Sequence, residues 1–342
     1  MRYRDSAGIL LALALICVGL TSCTRTDPVL VTLLLPTAEV PRWESVDEPA
    51  FRARLQRTCR GCEYVTHNAE GDVDRQGEQF DAAVRDGADL IVLAPLDAAA
   101  AESWVAGTEV PVLAYGTLIA GATYHVSHDI EQVGRLQAES IVDDLDGRGR
   151  LLMINGGADD PDTALLKQAA HEVIDASDLE VVDELDPPDG SAEEARDWVA
   201  DALQQAGSGT IDAIYVAHDA QAGGVAEALQ GAGLGRAELP LVTGQGAELD
   251  AVRRLVTGEQ SMTVHTSLRD QAQQAADIAV AVLANEDVEG GEDHEGLRAW
   301  FFEPQAVTLD NLADTVVRDG LWPAAEICQG RARRPCERFG LN

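Results

Sequence analysis

The amino-acid sequence predicts an α/β protein with two doubly wound parallel sheets, each at the centre of one lobe. Short apolar segments rich in β-branched residues alternate with longer amphipathic segments along most of the chain. Such alternation is typical of βαβ units, in which helices cover both faces of a parallel sheet. The pattern completes one unit near residue 126 and then restarts, and 342 residues suffice for two domains with cores of their own.

The first unit opens with Val29–Leu35, a continuous apolar run that indicates a strand buried on both faces of the sheet. Further strands are predicted over Glu63–His67, Leu90–Ala94, Val110–Tyr115 and Thr123–Val126. Phe80 and Val84 lie four residues apart, which is the spacing of an apolar helix face. Helices are predicted over Pro49–Thr58, Asp72–Asp86 and Ala98–Ala106.

The second unit begins where Asp129 is placed to cap a helix that runs through Leu145. Its strands are predicted over Arg150–Ile154, Glu180–Leu185, Ala213–Ala217, Leu239–Thr243, Ser261–Val264 and Ala299–Phe302. Its further helices are predicted over Pro161–Asp175, Ala192–Ala206, Leu249–Thr257, Leu268–Ala284 and Leu309–Asp319. The acidic, glycine-containing segment Glu286–Glu295 predicts a loop.

The stretch Tyr215–Gly224 shows how these units present polar groups. Its strand ends at His218 and Asp219, and a helix follows that ends near Gln230. Asp219 is placed to be the N-cap of that helix. His218 is a candidate ligand contact, because ligands of open parallel sheets bind outside the carboxyl ends of the strands. The alternative is that both residues only cap a helix, and for Asp219 this interpretation is favoured.

Polar side chains follow the strands of both units in the same way. Because the carboxyl ends of parallel strands meet at one edge of a sheet, they predict a shared cleft for a small ligand. The candidate ligand-binding residues are Arg42, Trp43, Tyr115, Thr117, His128, Asp129, Asp162, Thr163, His218, Asp219, Gln245 and His265.

Composition and motifs exclude several classes of function. The net charge is −34, with 59 acidic against 25 basic residues, and such a field repels nucleic acid. The acidity fits salt adaptation or a GC-rich genome equally well. The sequence contains no glycine-rich phosphate-binding motif and no Gly-x-Ser-x-Gly. We therefore predict no enzymatic activity, no cofactor and no metal.

The N-terminus predicts export. Arg2 and Arg4 precede the apolar run Gly8–Leu20, which has the length of a signal-peptide core. The tetrapeptide that ends at Cys23 resembles a bacterial lipobox, and this resemblance implies cleavage before Cys23 and lipid attachment to its sulfur. Residues 1–22 are then a signal peptide and residues 23–28 a tether on the outer face of the cell membrane. The alternative is an ordinary secretory cleavage site.

Four cysteines remain after export and lipidation. Proximity in sequence suggests the pairs Cys59–Cys62 and Cys328–Cys336, which form one of three connectivities. An oxidising compartment favours structural disulfides. A redox pair or half a zinc site is the alternative for Cys59 and Cys62. It is disfavoured because the pair follows a predicted helix and no second ligand pair stands nearby.

The chain resembles the type I periplasmic sugar-binding proteins of ABC importers, specifically their xylose-binding-like lipoprotein branch, from about Leu33 to Leu341. The matching segments are Pro41–Glu44 with Asp47, Val126–Asp129 with Val133 and Gly134, Val216–Gly224, Thr243–Glu248, Ser261–Val264 and Asp314–Trp322. The resemblance implies a monomer that captures a small polar ligand, such as a monosaccharide, and delivers it to ABC permease subunits.

The resemblance also implies a domain organisation. Two lobes are expected, one of residues 29–126 plus 266–301 and one of residues 127–265 plus 302–342. A three-strand hinge joins them and closes the lobes over the ligand. Its crossings are expected near Val126–His128, Val264–Ser267 and Phe302–Pro304.

Site residues carry over from the family only in part. The resemblance implies that Arg42 donates to sugar hydroxyls, that Trp43 covers a sugar ring or packs, and that His218 replaces an asparagine. Other family positions are altered, and the residues found there are Gly116-Thr117, Ile130, Pro161-Asp162-Thr163, Pro188-Asp189, Gln245-Gly246 and His265-Thr266. We therefore expect a ligand other than a common pentose or hexose bound in the family manner.

Three histidines at altered positions suggest what that ligand is. His128, His218 and His265 stand where the family has Phe, Asn and Tyr, near Asp129, Asp162 and Asp219. One hypothesis is a metal ion or a cationic ligand held by these groups. The alternative is a set of separate hydrogen-bonding and packing substitutions.

Two other functions share the predicted fold. A ligand-sensing or interacting lipoprotein without a transport role is the alternative to a transport receptor. A regulator similar to the lactose repressor is disfavoured, because no helix-turn-helix precedes Val29 and the charge is negative.

Overall fold

The computed structural model describes residues 29–38, 42–157, 162–207 and 209–341. The predicted signal peptide, Cys23 and the tether lie outside these residues, as does the start of the predicted helix Pro161–Asp175. Within the described ranges, every helix is too short or too polar to cross a bilayer.

The strands and helices follow the predicted alternation closely. The strands are β1 (Val29–Leu35), β2 (Cys62–Asn68), β3 (Leu90–Leu93), β4 (Val112–Tyr115), β5 (Tyr124–His128), β6 (Arg148–Ile154), β7 (Asp178–Leu185), β8 (Ala213–Val216), β9 (Leu241–Val242), β10 (Thr263–His265), β11 (Glu292–His294), β12 (Leu297–Phe302) and β13 (Gln305–Val307). The helices are α1 (Glu48–Thr58), α2 (Val73–Arg85), α3 (Ala98–Val105), α4 (Ile130–Asp144), α5 (Thr163–Ile174), α6 (Ala192–Ala206), α7 (Asp219–Gly231), α8 (Leu249–Thr257), α9 (Leu268–Leu283), α10 (Ala324–Ile327) and α11 (Arg333–Phe339).

The first sheet has seven strands in the order β11-β12-β5-β4-β3-β1-β2 and is parallel except for β11. Successive side chains of β1 pack in two different hydrophobic cores, one on each face of the sheet. Leu33 packs in the core that contains Phe51 of α1 and Ala275 of α9, and Leu34 packs in the core that contains Phe80 of α2. This burial on both faces explains why β1 is a continuous apolar run.

The second sheet has four parallel strands in the order β7-β6-β8-β9. Helices α6 and α7 cover one face, and α4 and α5 cover the other. A bridge from Gln245 to Val264 continues this sheet toward β10, which pairs antiparallel with β13. The chain leaves the first sheet after His128 and again after Phe302, and it returns to α9 after His265.

Two predictions of secondary structure are wrong, and one short strand is absent from the predictions. The segment Glu286–Glu295 is not all loop, because it contains β11, which pairs with β12. The predicted helix Leu309–Asp319 is reduced to a π-helical turn over Ala313–Val317. The strand β13 was not predicted, since three residues show no clear alternation.

The two predicted disulfides are present. Cys59 is bonded to Cys62 and Cys328 to Cys336, with Cα–Cα distances of 5.5 and 5.7 Å. The first closes the turn between α1 and β2, and the second ties α10 to α11. Both cross-links therefore act within local segments of the chain.

Candidate functional site

A buried carboxylate, Asp47, organises the polar groups at the carboxyl edge of the first sheet. Asp47 is 1% exposed, and its carboxylate accepts two hydrogen bonds from Arg42, each 2.9 Å long. The hydroxyl of Tyr115, the last residue of β4, donates to the same carboxylate. The carboxylate outweighs the effect of burial and raises the pKa of the Arg42 guanidinium. Arg42 is thus a fixed cation whose charge is balanced by Asp47.

Two aromatic rings support this pair. The guanidinium of Arg42 lies over the Trp43 ring, 4.4 Å from its centroid, and Trp43 meets Tyr115 edge to face at 6.2 Å. Burial, and then the charge of Asp47, hold the pKa of Tyr115 well above its ordinary value. Tyr115 therefore stays a neutral donor to Asp47, and its hydroxyl is engaged within the protein.

His128 ends β5 beside this group. Both of its ring nitrogens are shielded from solvent, and neither has a hydrogen-bond partner in the part of the chain that the structure describes. Burial lowers the pKa of His128 to about 4, with a further contribution from the positive charge of Arg42. The imidazole is therefore neutral at physiological pH.

At the edge of the second sheet, His218, Gln245, Thr163 and Gly156 form a second group. His218 Nδ1 lies 3.0 Å from Gln245 Oε1, and Thr163 Oγ1 donates to the carbonyl oxygen of Gly157. A Cβ atom on Gly156 would overlap Thr163 Oγ1 and would lie 3.0 Å from His218 Nε2. Glycine at this position thus lets the loop after β6 approach the side chains that follow β8.

A polar cluster behind that loop fixes its position. Asn155 Nδ2 donates to Glu184 Oε1 and Asp186 Oδ1, both at 2.7 Å. Lys167, the single lysine of the sequence, lies 3.0 Å from Glu184 and 2.7 Å from Asp186. Burial opposes the charge of Glu184, but hydrogen bonds from Asn155, His171 and Lys167 outweigh it and lower the pKa of Glu184 to about 2.

The prediction that Asp219 caps α7 is wrong. The helix begins at Asp219 itself, and His218 occupies the N-cap position without a side-chain cap. The Asp219 carboxylate is fully buried and accepts from Gln260 Nε2 at 2.8 Å, from Thr263 Oγ1 at 2.8 Å and from the Glu248 amide at 3.0 Å. It therefore ties β8 to the segments that lead into α8 and β10.

Burial raises the pKa of Asp219, although these donors act in the opposite direction. The guanidinium of Arg254 also donates to the backbone oxygen of Asp219 at 2.6 Å. With both carboxylate oxygens engaged, Asp219 acts by positioning His218. The Asp219 amide donates to the backbone oxygen of Gln245, which fixes the second partner of His218 as well.

His265, the last residue of β10, has a hydrogen-bond partner outside both groups. It is 3% exposed, and its Nε2 lies 3.1 Å from Asp319 Oδ2. Burial lowers the pKa of His265, and the charge of Asp319 acts in the opposite direction. Val46 of the first half lines a small space beside this pair. His265 is thus placed where the chain passes back toward the first sheet.

Three further predicted residues, Asp129, Asp162 and Thr117, lie at the ends of strands or the starts of helices. Asp129 is exposed and caps α4 by accepting from the Gln132 amide at 2.9 Å. Asp162 occupies the N-cap position of α5 without a side-chain cap to that helix. Thr117 is half-buried after β4.

The structure does not support the three-histidine metal site. In the ranges 29–38, 42–157, 162–207 and 209–341, no group of three His, Cys, Asp or Glu residues is arranged to hold a metal ion. His128 lies near Arg42, His218 contacts Gln245, and His265 contacts Asp319. Each of these three histidines therefore has a different neighbour.

Sequence reasoning missed Asp47 as the centre of the first group. It stands five residues after Arg42, within a matching segment, but acidic residues are so frequent here that this spacing carries no signal. It also missed Asn155 and Gln221, which are buried, with Asn155 Oδ1 and Gln221 Oε1 unpaired among the described residues. Polar residues of this kind can be found only from three-dimensional contacts.

Comparisons with known proteins agree with this architecture. The periplasmic binding protein domain family matches residues 31–287. The D-xylose-binding periplasmic protein of Haemophilus influenzae is 29% identical over 313 residues, which cover 88% of this chain and 92% of that protein. The protein of the same name from Escherichia coli is 26% identical over 310 residues, covering 87% and 92%.

Solved structures show the same fold. The carbohydrate transporter solute binding protein from Chloroflexus aurantiacus, in complex with D-glucose, has a TM-score of 0.73 at 26% identity and covers 86% of this chain and 97% of its own. An ABC transporter solute binding protein from Clostridium phytofermentans with bound β-D-glucose has a TM-score of 0.75 at 23% identity, covering 87% and 99%. The two relatives are named for binding D-xylose, and the two solved structures contain D-glucose and β-D-glucose.

Proposed function

The chain belongs to the periplasmic binding protein domain family, and from this membership we propose that it is the solute-binding protein of an ABC importer. It captures a small polar ligand between the strand ends of its two sheets and delivers it to the permease. The observation that carries this proposal is the placement of polar side chains after β4, β5, β8 and β9, where parallel sheets bind ligands.

The ligand that this site supports best is a polyhydroxylated solute. Relatives are named for D-xylose and solved structures hold D-glucose, so the family favours sugars. Arg42 brings a fixed guanidinium, and His128 and Gln245 bring neutral groups that can both donate and accept. Because several family contacts are replaced here, the ligand is held by a different set of hydrogen bonds.

Domain closure accompanies binding in this proposal. The lobes comprise residues 29–126 plus 266–301 and residues 127–265 plus 302–342, and the chain crosses between them three times. The buried His265 and its half-buried partner Asp319 lie at one crossing, and His128 and Phe302 pair at the other two. Rotation at these crossings would bring the two polar groups onto opposite sides of one ligand.

The protein acts outside the cell as a monomer held by a lipid on Cys23. The lipobox-like sequence and the two disulfides support this location, since disulfides persist in oxidising compartments. Acyl chains confer membrane affinity of about 0.8 kcal/mol for each buried methylene. The folded body then reaches the permease from the membrane surface.

Titration calorimetry tests the proposed binding function. The panel comprises D-xylose, D-glucose, myo-inositol, spermidine and divalent metal ions, applied to the folded chain without its signal peptide. We expect one-to-one binding of a polyhydroxylated member and none of spermidine or metal. Failure of every polyhydroxylated member to bind would contradict the proposed function. Tight D-xylose binding would support it and refute the altered ligand set.

A further inference from the structure

His128 is the polar residue of the site that most clearly lacks a partner. Its two ring nitrogens are shielded from solvent, and no described residue accepts from or donates to either. Buried polar atoms in folded proteins almost always have a hydrogen-bond partner. A group of a bound ligand, or a water molecule when no ligand is bound, is therefore needed to complete the hydrogen bonding of this ring.

His128 lies where a bound ligand can reach its ring. It is the last residue of β5, opposite Phe302, and the next amide, of Asp129, donates to the Phe302 oxygen. Val126 of the same strand pairs with Tyr115, the last residue of β4. The imidazole thus stands on the ligand edge of the sheet, beside Arg42 and at the crossing between the two halves.

The other predicted histidines differ in this respect. His265 Nε2 has Asp319 as its partner, and His218 Nδ1 has Gln245. His125, a buried histidine that was not predicted as a site residue, contacts the backbone oxygen of Gly116 through Nε2 at 2.9 Å. Protein groups thus occupy at least one nitrogen of each of these rings, whereas they occupy neither nitrogen of His128.

The neutral charge state of the His128 ring decides which ligand groups can hydrogen-bond it. The fixed guanidinium of Arg42 lies close enough to disfavour a second positive charge on His128, and burial acts in the same direction. A neutral imidazole offers one N–H donor and one nitrogen acceptor. Hydroxyl groups both donate and accept, so two neighbouring hydroxyls satisfy the ring, whereas an ammonium group has donors only and leaves the imidazole N–H without an acceptor.

We infer that His128 is a specificity-determining residue that hydrogen-bonds two hydroxyls of an uncharged ligand and disfavours the amine-bearing analogue. The inference rests on the proposed solute-binding function and adds to it one specific contact with the ligand. The ligand preference is thereby set in part by a residue of the hinge crossing.

The test measures affinity for D-xylose, D-glucose and myo-inositol by calorimetry in the wild-type chain and in His128→Phe. We expect His128→Phe to weaken the best-bound member by about 10- to 100-fold, the range for one lost buried hydrogen-bonding partner. His128→Asn, which keeps a donor and an acceptor, should lose less. His67→Phe is the matched control, because His67 is exposed on β2, and it should leave affinity unchanged.

Monodeoxy derivatives of the best-bound sugar or cyclitol make the test specific. In the wild-type chain two of them should bind weakly, and in His128→Phe the same two should show little further loss, because the contact is already gone. D-glucosamine should bind the wild-type chain less tightly than D-glucose. Circular dichroism establishes that each variant is folded.

Three outcomes overturn the inference and leave the proposed function standing, and the first two concern the His128→Phe variant. One is unchanged affinity in folded His128→Phe, and the other is additive losses for every deoxy derivative. Tighter binding of D-glucosamine than of D-glucose would also refute it. If no polyhydroxylated member binds the wild-type chain, the proposed function fails and this inference fails with it.

Discussion

Replacing Asp47 by asparagine tests whether the buried carboxylate holds the first half of the site together. Asp47 accepts two hydrogen bonds of 2.9 Å from Arg42 and one from Tyr115, and it is 1% exposed. Removing one partner of a buried ion pair costs about 3–5 kcal/mol. Asparagine keeps one accepting oxygen, and the Arg42 side chain is 23% exposed, so we expect the lower end, about 3 kcal/mol.

A second ion pair provides a control with the same geometry. Arg54 donates two hydrogen bonds of 2.7 and 2.8 Å to Asp277, but these side chains are 34% and 37% exposed. Exposed pairs contribute about 0.2–1 kcal/mol, so Asp277→Asn should cost at most about 1 kcal/mol.

Urea unfolding followed by tryptophan fluorescence measures both variants, and calorimetry then measures ligand affinity. Asp47→Asn should lower both the free energy of unfolding and the affinity, because Arg42 and Tyr115 lose their common acceptor. Equal losses of stability in Asp47→Asn and Asp277→Asn would refute the reasoning, since Asp47 is more buried than Asp277 and also accepts from Tyr115.

Three further predictions address the fold, its pH dependence and its anchor. A Cβ at Gly224 would overlap the carbonyl oxygen of Ala192, so Gly224→Ala should lower the free energy of unfolding in urea by about 3 kcal/mol. Gly231 has open space around it, so Gly231→Ala should be neutral or stabilising. Equal stability of the two variants would contradict the close contact of α6 and α7. The pKa of His128 is lowered to about 4 from 6.5, so at pH values between these the unfolded chain binds more protons than the folded chain. The free energy of unfolding should therefore fall by up to ~3 kcal/mol as pH drops from 6.5 to 4. His128→Phe should reduce this pH dependence of stability, and an unchanged pH dependence would contradict the lowered pKa of His128. Cys23→Ser should abolish labelling by radioactive palmitate and release the protein to the medium, whereas retention of the variant in the membrane would contradict lipid anchoring.

Local sequence patterns predicted most of the fold because they reflect burial. The continuous apolar run of β1 and the bounds of α6 and α8 match the structure residue for residue. Short elements with little periodicity, β11 and β13, could not be predicted in this way. Their strands form because neighbours in the folded sheet supply the hydrogen bonds.

The site was harder to predict because its contacts are distant in sequence. Asp219 accepts hydrogen bonds from Gln260 and Thr263, which lie 41 and 44 residues away along the chain. The sequence therefore suggested a helix cap at Asp219, where the structure has a buried link between strands. The three altered histidines suggested one cluster, but each has a different neighbour. Position after a strand predicts the edge of the sheet that a side chain reaches, and it does not predict which side chains meet there.

Hydrogen exchange with and without the best-bound polyhydroxylated ligand tests directly whether the ligand binds between the two halves. We predict slower exchange on binding in the loops of both sheets at once, at residues 116–117, 128–130, 156–157, 218–220 and 245–246. Exchange in the surface groove between α7 and α8, lined by Arg253, Arg254 and Arg331, should not change. Slowing confined to that groove, or to the loops of one sheet, would contradict capture of the ligand between the two halves.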